Sequence, residues 1–383
     1  MTADYRHLGV FGDWVAEAHR QRPLWPVASP GAETQQRVRD VLGFANLPEQ
    51  AADVRVERTW ESDGLLGEEV SWSVGYGPRT HAYVLKPINA PAALPGVVAL
   101  HDHGGYKFYG KEKIAEGPEP SDPAMVNYRK HYYGSRAYPN ALAREGFVVL
   151  VHDTFLWGSR RFPIETLPDW IPQTVDATEG LWWKEGTDEY GSPHEAARYN
   201  AGATLQELLL EKFCALLGTT LAGMVSHEDR IAVNYLRSRP DVSPERIGCV
   251  GLSGGGCRSA LLQATSEAIR AAVIVGMMST YAHLLFKHVD SHTWMFFPTG
   301  WARYGDWPDL AACRAPSPLL VQYDLDDELF PIDGMRAAHE RIAGHYAKVG
   351  ASEHYTGEFY PGPHKFDLEM QKAAFDWLKR WLC

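Results

Sequence analysis

The run Ile247-Gly248-Cys249-Val250-Gly251-Leu252-Ser253-Gly254-Gly255-Gly256-Cys257 limits what this chain can fold into more than any other stretch. Its first half is apolar like a buried strand, Gly-x-Ser-x-Gly makes a sharp turn, and residues 258–264 have the residue types of a helix. Strand, turn and helix in that order lift the serine hydroxyl above a sheet, and the flanking glycines keep strand and helix from colliding with it. Gly-x-Ser-x-Gly also arises by chance in glycine-rich loops, so its weight comes from this context. Ser253 is the candidate nucleophile.

A buried strand needs buried neighbours, and the sequence supplies them. Segments 96–100, 147–151 and 271–276 are continuously apolar, as strands covered on both faces must be, 318–323 reads as the next strand, and 358–360 as a short last one. Helical patterns separate them at 138–145, from 204 to about 236, at 334–349 and at 366–381. This alternation predicts an α/β fold with a mainly parallel sheet, its polar clusters gathered at the strands' C-terminal edge. Segments 69–74 and 80–87, on either side of Gly75-Tyr76-Gly77-Pro78, predict an antiparallel edge hairpin. Residues 1–68, with helical spacing at 35–42, read as a helical N-terminal extension to a main domain of 69–383. An insertion at about 154–203 and an aromatic lid-like stretch at about 281–308 interrupt that domain.

A serine hydroxyl becomes a nucleophile only when a base takes its proton and a carboxylate holds that base in the right tautomer. Chain order Ser, acid, His is the expected one. Of 16 histidines, His364 in Gly362-Pro363-His364 follows the last strand and precedes the closing helix, where a loop can carry it over the sheet edge; His354 and His339 are rivals. Asp324, Asp326, Asp327 and Glu328 share the exit loop of the penultimate strand, and spacing alone does not separate them. The loop after 96–100 begins His101-Asp102-His103-Gly104-Gly105-Tyr106, and its His and Asp are also competent metal ligands, although no third cluster matches them. Lys107, Lys111 and Lys113 fit either a solvated loop face or contacts to an anionic substrate.

The formal charge of −11, from 37 basic and 48 acidic residues, leaves no basic footprint for nucleic acid or an anionic membrane. The first 14 residues lack the apolar core of a secretory signal, and no run has the length of a membrane span, so a cytoplasmic protein is expected. Five scattered cysteines without a CxxC pair suggest neither disulfides nor zinc, and Cys249 and Cys257 read as buried fillers.

Together these residues resemble the α/β-hydrolase superfamily, and within it the dienelactone hydrolases and acetyl xylan esterase-like proteins. The resemblance spans about 70–383 and rests on Gly251-Leu252-Ser253-Gly254-Gly255, the loop at 101–105, Asp327 to Pro331, and Pro363-His364. In that family an Asp-x-x-x-Pro pattern supplies the acid, which implies Asp327 over the runner-up Asp326. The resemblance also implies an oxyanion hole from Gly254 and a donor among His103 and Gly104, although Asp102 departs from the commoner His-Gly-x-Gly loop. Asp153 and residues 155–160 are similar to the family's second site-edge loop. The expected activity is a serine hydrolase that cleaves a small-molecule carboxylic ester through an acyl-enzyme, with no metal or cofactor. Candidate pocket residues are Tyr106, Trp157, Trp294 and Trp301. An amide, thioester or carbon–carbon hydrolase, or a non-catalytic receptor, are the alternatives, and the N-terminal extension is a candidate homodimer contact.

Overall fold

The apolar segments lie side by side in one sheet because each strand feeds two cores. Along the strand Leu94–Leu100, Val98 and Leu100 pack into one core, while Val97 and Ala99 pack into the other. Residues 247–252 divide in the same way, which explains why neither segment shows polar alternation. These relations come from a computed structural model that describes residues 5–22, 24–43, 47–89, 93–286 and 288–383.

In chain order the elements begin with helices α1 (Val10–Gln21) and α2 (Ala32–Leu42), then strands β1 (Ala52–Ser62), β2 (Leu65–Ser73), β3 (Thr80–Pro87) and β4 (Leu94–Leu100). Helices α3 (Pro123–Tyr132) and α4 (Tyr138–Arg144) lead to β5 (Val148–His152). Helices α5 (Trp170–Ala177), α6 (His194–Leu217) and α7 (Leu221–Ser238) precede β6 (Val242–Leu252), α8 (Gly254–Thr265) and β7 (Ile269–Val275). The remainder is α9 (Tyr281–Leu284), α10 (Trp307–Ala312), β8 (Leu319–Asp324), α11 (Ile332–Lys348), β9 (Tyr355–Tyr360) and α12 (Leu368–Leu382). The nine strands run in the order β1-β2-β3-β5-β4-β6-β7-β8-β9. From β5 to β9 all pairs are parallel, and β1, β2 and β3 form an antiparallel flank joined to β5. Helices α7, α8, α10 and α11 cover one face, and α3, α4 and α12 cover the other.

Three expectations need correction. The sheet reaches back into the N-terminal segment: β1 falls within the expected helical extension, and its pattern was unreadable because almost every residue of this edge strand is exposed. Residues 1–4, 23 and 44–46 of that extension lie outside the described residues. The helical stretch expected from residue 204 begins earlier, as α6 at His194, ends at Gly218 in a left-handed conformation (φ 73°), and gives way to α7. The last strand starts earlier, at Tyr355. Among the described residues no single helix is long and apolar enough to cross a membrane; the bent pair α6 and α7 passes that test only jointly, by length and composition.

Candidate active site

Ser253 occupies the turn between β6 and α8 with φ 57° and ψ −119°, a left-handed backbone that a residue with a side chain adopts only under strain. The sheet holds it there: the Ser253 amide donates to the Val275 carbonyl at 2.8 Å, and the Cys257 amide caps the Ser253 carbonyl at 2.9 Å. The turn closes so tightly that a Cβ on Gly251 would stand 2.4 Å from the Gly255 carbonyl carbon. Glycine at 251 is therefore a packing requirement of the turn. Cys257 and Cys249 are buried free thiols, pushed up by that burial.

His364 lies in the loop between β9 and α12, and its Nδ1 is 2.6 Å from Asp327 Oδ2. Burial by itself lowers its pKa, but the hydrogen bond and charge of Asp327 outweigh that, so the imidazole titrates above the ordinary histidine value. Asp326 has a different task, accepting from the Gly362 amide at 2.8 Å, and thereby fastens the His364 loop to the β8 exit. Glu328 is exposed. His339 and His354 are engaged elsewhere, with Tyr355 Oη at 2.9 Å and the Pro316 carbonyl at 2.6 Å. Asp324, at the end of β8, stands beside this pair. Its Oδ2 accepts from the Lys365 amide at 3.1 Å, its Oδ1 has no partner, and burial pushes its pKa up to about 7.

The loop after β4 faces Ser253 from the other side. A Cβ on Gly254 would stand 2.5 Å from the His103 nitrogen, so the two backbones pass in direct contact. Lys113 organises this loop from behind: its ammonium donates to the carbonyls of Asp102, His103 (3.2 Å) and Tyr106 (3.3 Å). The Gly105 amide turns back onto His103 Nδ1 (3.0 Å) and the Tyr106 amide onto the His103 carbonyl (3.1 Å), so the loop is held by its own bonds as well as by Lys113. Asp102 is closed off by Tyr128, Tyr133 and Lys113 together, which hold its carboxylate below the ordinary range although burial opposes them. Burial pushes Lys113 down to about 8. Both the solvated loop face and the anion contacts expected of them are thus corrected: Lys107, Lys111 and Lys113 are all buried, and each is paired with a carboxylate inside the protein.

These segments meet around a cavity of about 200 Å³ lined by Ser253, His364, His103, Gly104 and Gly254, with Tyr128 and Tyr132 on one wall. Met277, Cys257, Leu252, Phe296, Leu329 and Phe330 supply apolar surface, and Ser291, His292 and Thr293 bring the 281–308 stretch to the rim. None of the four expected aromatic residues lines it. Tyr106 is buried against Ser192 (2.7 Å), Trp157 is buried behind the His103 carbonyl (3.4 Å), Trp301 is buried on the Asp306 carbonyl (3.1 Å), and Trp294 lies exposed outside. Tyr106, Trp157 and Trp301 went to packing. Asp153 and Ser159 also stand apart from the cavity, since Asp153 is fully buried and accepts from the amides of Lys111 (2.7 Å) and Ser159 (2.9 Å). His292, which the sequence did not single out, is pushed down to about 4 by burial, and its Nε2 donates to the Leu329 carbonyl at 3.1 Å.

The His101-Asp102-His103 triplet does not gather as a ligand set, because Asp102 is consumed by its three donors and His103 Nε2 by Glu207 at 2.9 Å. Among the described residues, Asp324, Asp327 and His364 are the group whose donor atoms lie within 4.8 Å of one another, and could hold a cation.

No family model matches the sequence. YtaP of Bacillus subtilis (strain 168), described as a proposed hydrolase, is 23% identical over 354 residues that span 92% of this chain and 99% of that one. A proposed acetyl xylan esterase from Bacteroides fragilis superposes with a TM-score of 0.65 at 14% identity, covering 92% of this chain and 82% of that one. A glucuronoyl esterase from Solibacter usitatus gives 0.57 at 12% identity, covering 94% and 95%. The chain has the α/β-hydrolase fold, shared with these esterases of known structure.

Proposed function

We propose that this protein is a serine hydrolase that cleaves a small carboxylic ester through an acyl-enzyme intermediate. The observation that carries the reading is the strained Ser253 sharing one cavity with His364, whose other ring nitrogen sits 2.6 Å from Asp327. In this reading His364 Nε2 takes the proton of Ser253 as the hydroxyl oxygen attacks the ester carbonyl. Asp327 fixes the proton on Nδ1 and balances the imidazolium that forms. The negative charge that develops on the carbonyl oxygen meets the backbone N–H of Gly254 and that of His103 or Gly104. Collapse expels the alcohol, which takes the proton from His364, and water repeats the sequence to release the acid. An esterase is supported further by the names of the structures that share the fold, and a hydrolase by that of YtaP.

The test is mass spectrometry after incubation with a fluorophosphonate probe. Labelling is expected at Ser253, lost in Ser253→Ala, impaired in His364→Ala and Asp327→Asn, and retained in Asp326→Asn. Folded wild-type protein that stays unlabelled would favour a non-catalytic receptor. An ester and an amide of one acyl group, compared as substrates, separate ester from amide hydrolysis.

A further inference from the structure

Glu207 lies on α6, outside the cavity, and takes no part in the proton transfers above, yet both of its carboxylate oxygens are committed to the cavity's walls. Oε2 accepts from His103 Nε2 at 2.9 Å and from the Lys107 ammonium. Oε1 accepts from the Thr293 hydroxyl at 2.5 Å and from the Trp294 amide at 2.9 Å. His103 and Thr293 both line the cavity, one from the loop after β4 and the other from the stretch between α9 and α10. Two segments far apart in sequence therefore share one buried carboxylate.

The protonation pattern makes this a rigid joint. His103 Nδ1 accepts from the Gly105 amide at 3.0 Å, so its hydrogen is on Nε2 and points at Glu207. Burial raises the pKa of Glu207, but Lys107 and His103 overturn that and hold it ionised, well below the ordinary carboxylate range. With both ring nitrogens engaged and Trp157 edge-on at 5.2 Å, the His103 ring cannot turn without breaking a bond. Its backbone is thereby held against Gly254.

We propose that Glu207 is a positioning residue that couples the oxyanion loop to the stretch covering the cavity: it fixes His103 with one oxygen and Thr293 and Trp294 with the other. The inference rests on the serine-hydrolase reading. Loosening the Glu207 end displaces the oxyanion donor, which stabilises only the transition state, so kcat falls while KM changes little.

The experiment measures kcat and KM per Ser253 that a fluorophosphonate can titrate, so that a smaller folded fraction does not imitate a kinetic effect. Glu207→Gln is expected to lower kcat per titrated site by roughly 10- to 100-fold, with little change in KM. Thr293→Val, which removes one of the two bonds to Oε1 together with the Thr293 cap on the Met295 amide, is expected to lower kcat in the same direction, and Thr293→Ser to restore it. In the double variant Glu207→Gln/Thr293→Val the losses should be less than multiplicative, because both act through one carboxylate. Wild-type kcat per titrated site in Glu207→Gln, or fully multiplicative losses, would overturn the proposal. If Glu207→Gln does not fold, the threonine pair decides: kcat per titrated site unchanged in Thr293→Val overturns it. Wild-type protein that takes no label would instead sink the hydrolase reading itself, and this inference with it.

Discussion

At the scale of single residues, two carboxylates stand beside one imidazole. Asp327 holds His364 above its ordinary pKa, and a base acts only when neutral. We expect kcat/KM for an ester to fall as pH drops, with a midpoint above the ordinary histidine value of about 6.5. Asp327→Asn should move that midpoint down and cut the plateau on the order of 10⁴-fold, read from pH–rate profiles of the two proteins. Asp324 makes a separate statement about stability. Burial raises its pKa from 3.8 to about 7, so between those values the folded protein holds a proton that the unfolded chain has released. Its contribution is complete below the unfolded value and is lost as pH rises through about 7. Asp324→Asn should flatten that decline, so urea unfolding at pH 5 and pH 8 should differ less in the variant than in the wild type. Equal differences would show that Asp324 is already ionised in the folded state.

At the scale of elements, the serine turn works because β6 and α8 approach more closely than side chains allow. Gly251→Ala places a methyl 2.4 Å from the Gly255 backbone, which has no rotamer with which to yield. Destabilisation of about 1–3 kcal/mol is expected in denaturant unfolding, together with loss of activity as Ser253 shifts. A buried network ties the same helix to the sheet. Arg258 on α8 meets Asp229 on α7 at 2.6 Å, Asp229 meets His152 of β5 at 2.8 Å, and Arg258 also donates to the His101 carbonyl at 3.1 Å. One guanidinium thus fixes the serine helix relative to the loop after β4.

At the scale of the molecule, the N-terminal segment divides into parts with different duties. No residue of α1 is buried, whereas α2 buries Thr34, Val38 and Leu42 and reaches the Thr265 carbonyl through Arg39. Removal of residues 1–21 should change unfolding free energy by no more than about 1 kcal/mol, while removal through residue 43 should cost several times that, as thermal or denaturant melts would reveal. The sequence predicted a helical extension here because residues 35–42, within α2, have helical spacing. Strand β1 escaped because a strand satisfied by hydrogen bonds to β2, with its side chains in water, needs no apolar alternation.

Ser253, the run of buried strands and the loop that carries His364 were legible in the chain itself, because a local turn and two-sided burial both leave local patterns in residue type. Spacing could not choose among four acidic residues of one loop; in the folded chain Asp327 meets the imidazole, Asp326 anchors the neighbouring loop, Asp324 is buried beside both, and Glu328 faces solvent. Nor could it show that three lysines serve the interior, that the tryptophans pack away from the cavity, or that Glu207 joins its two walls. Strand and turn are properties of neighbours in sequence, whereas the partner of a buried charge is set by which distant segments the sheet order brings within hydrogen-bond reach. Tertiary structure alone decides that, because leaving such a charge unpaired costs more than almost any local preference can offset.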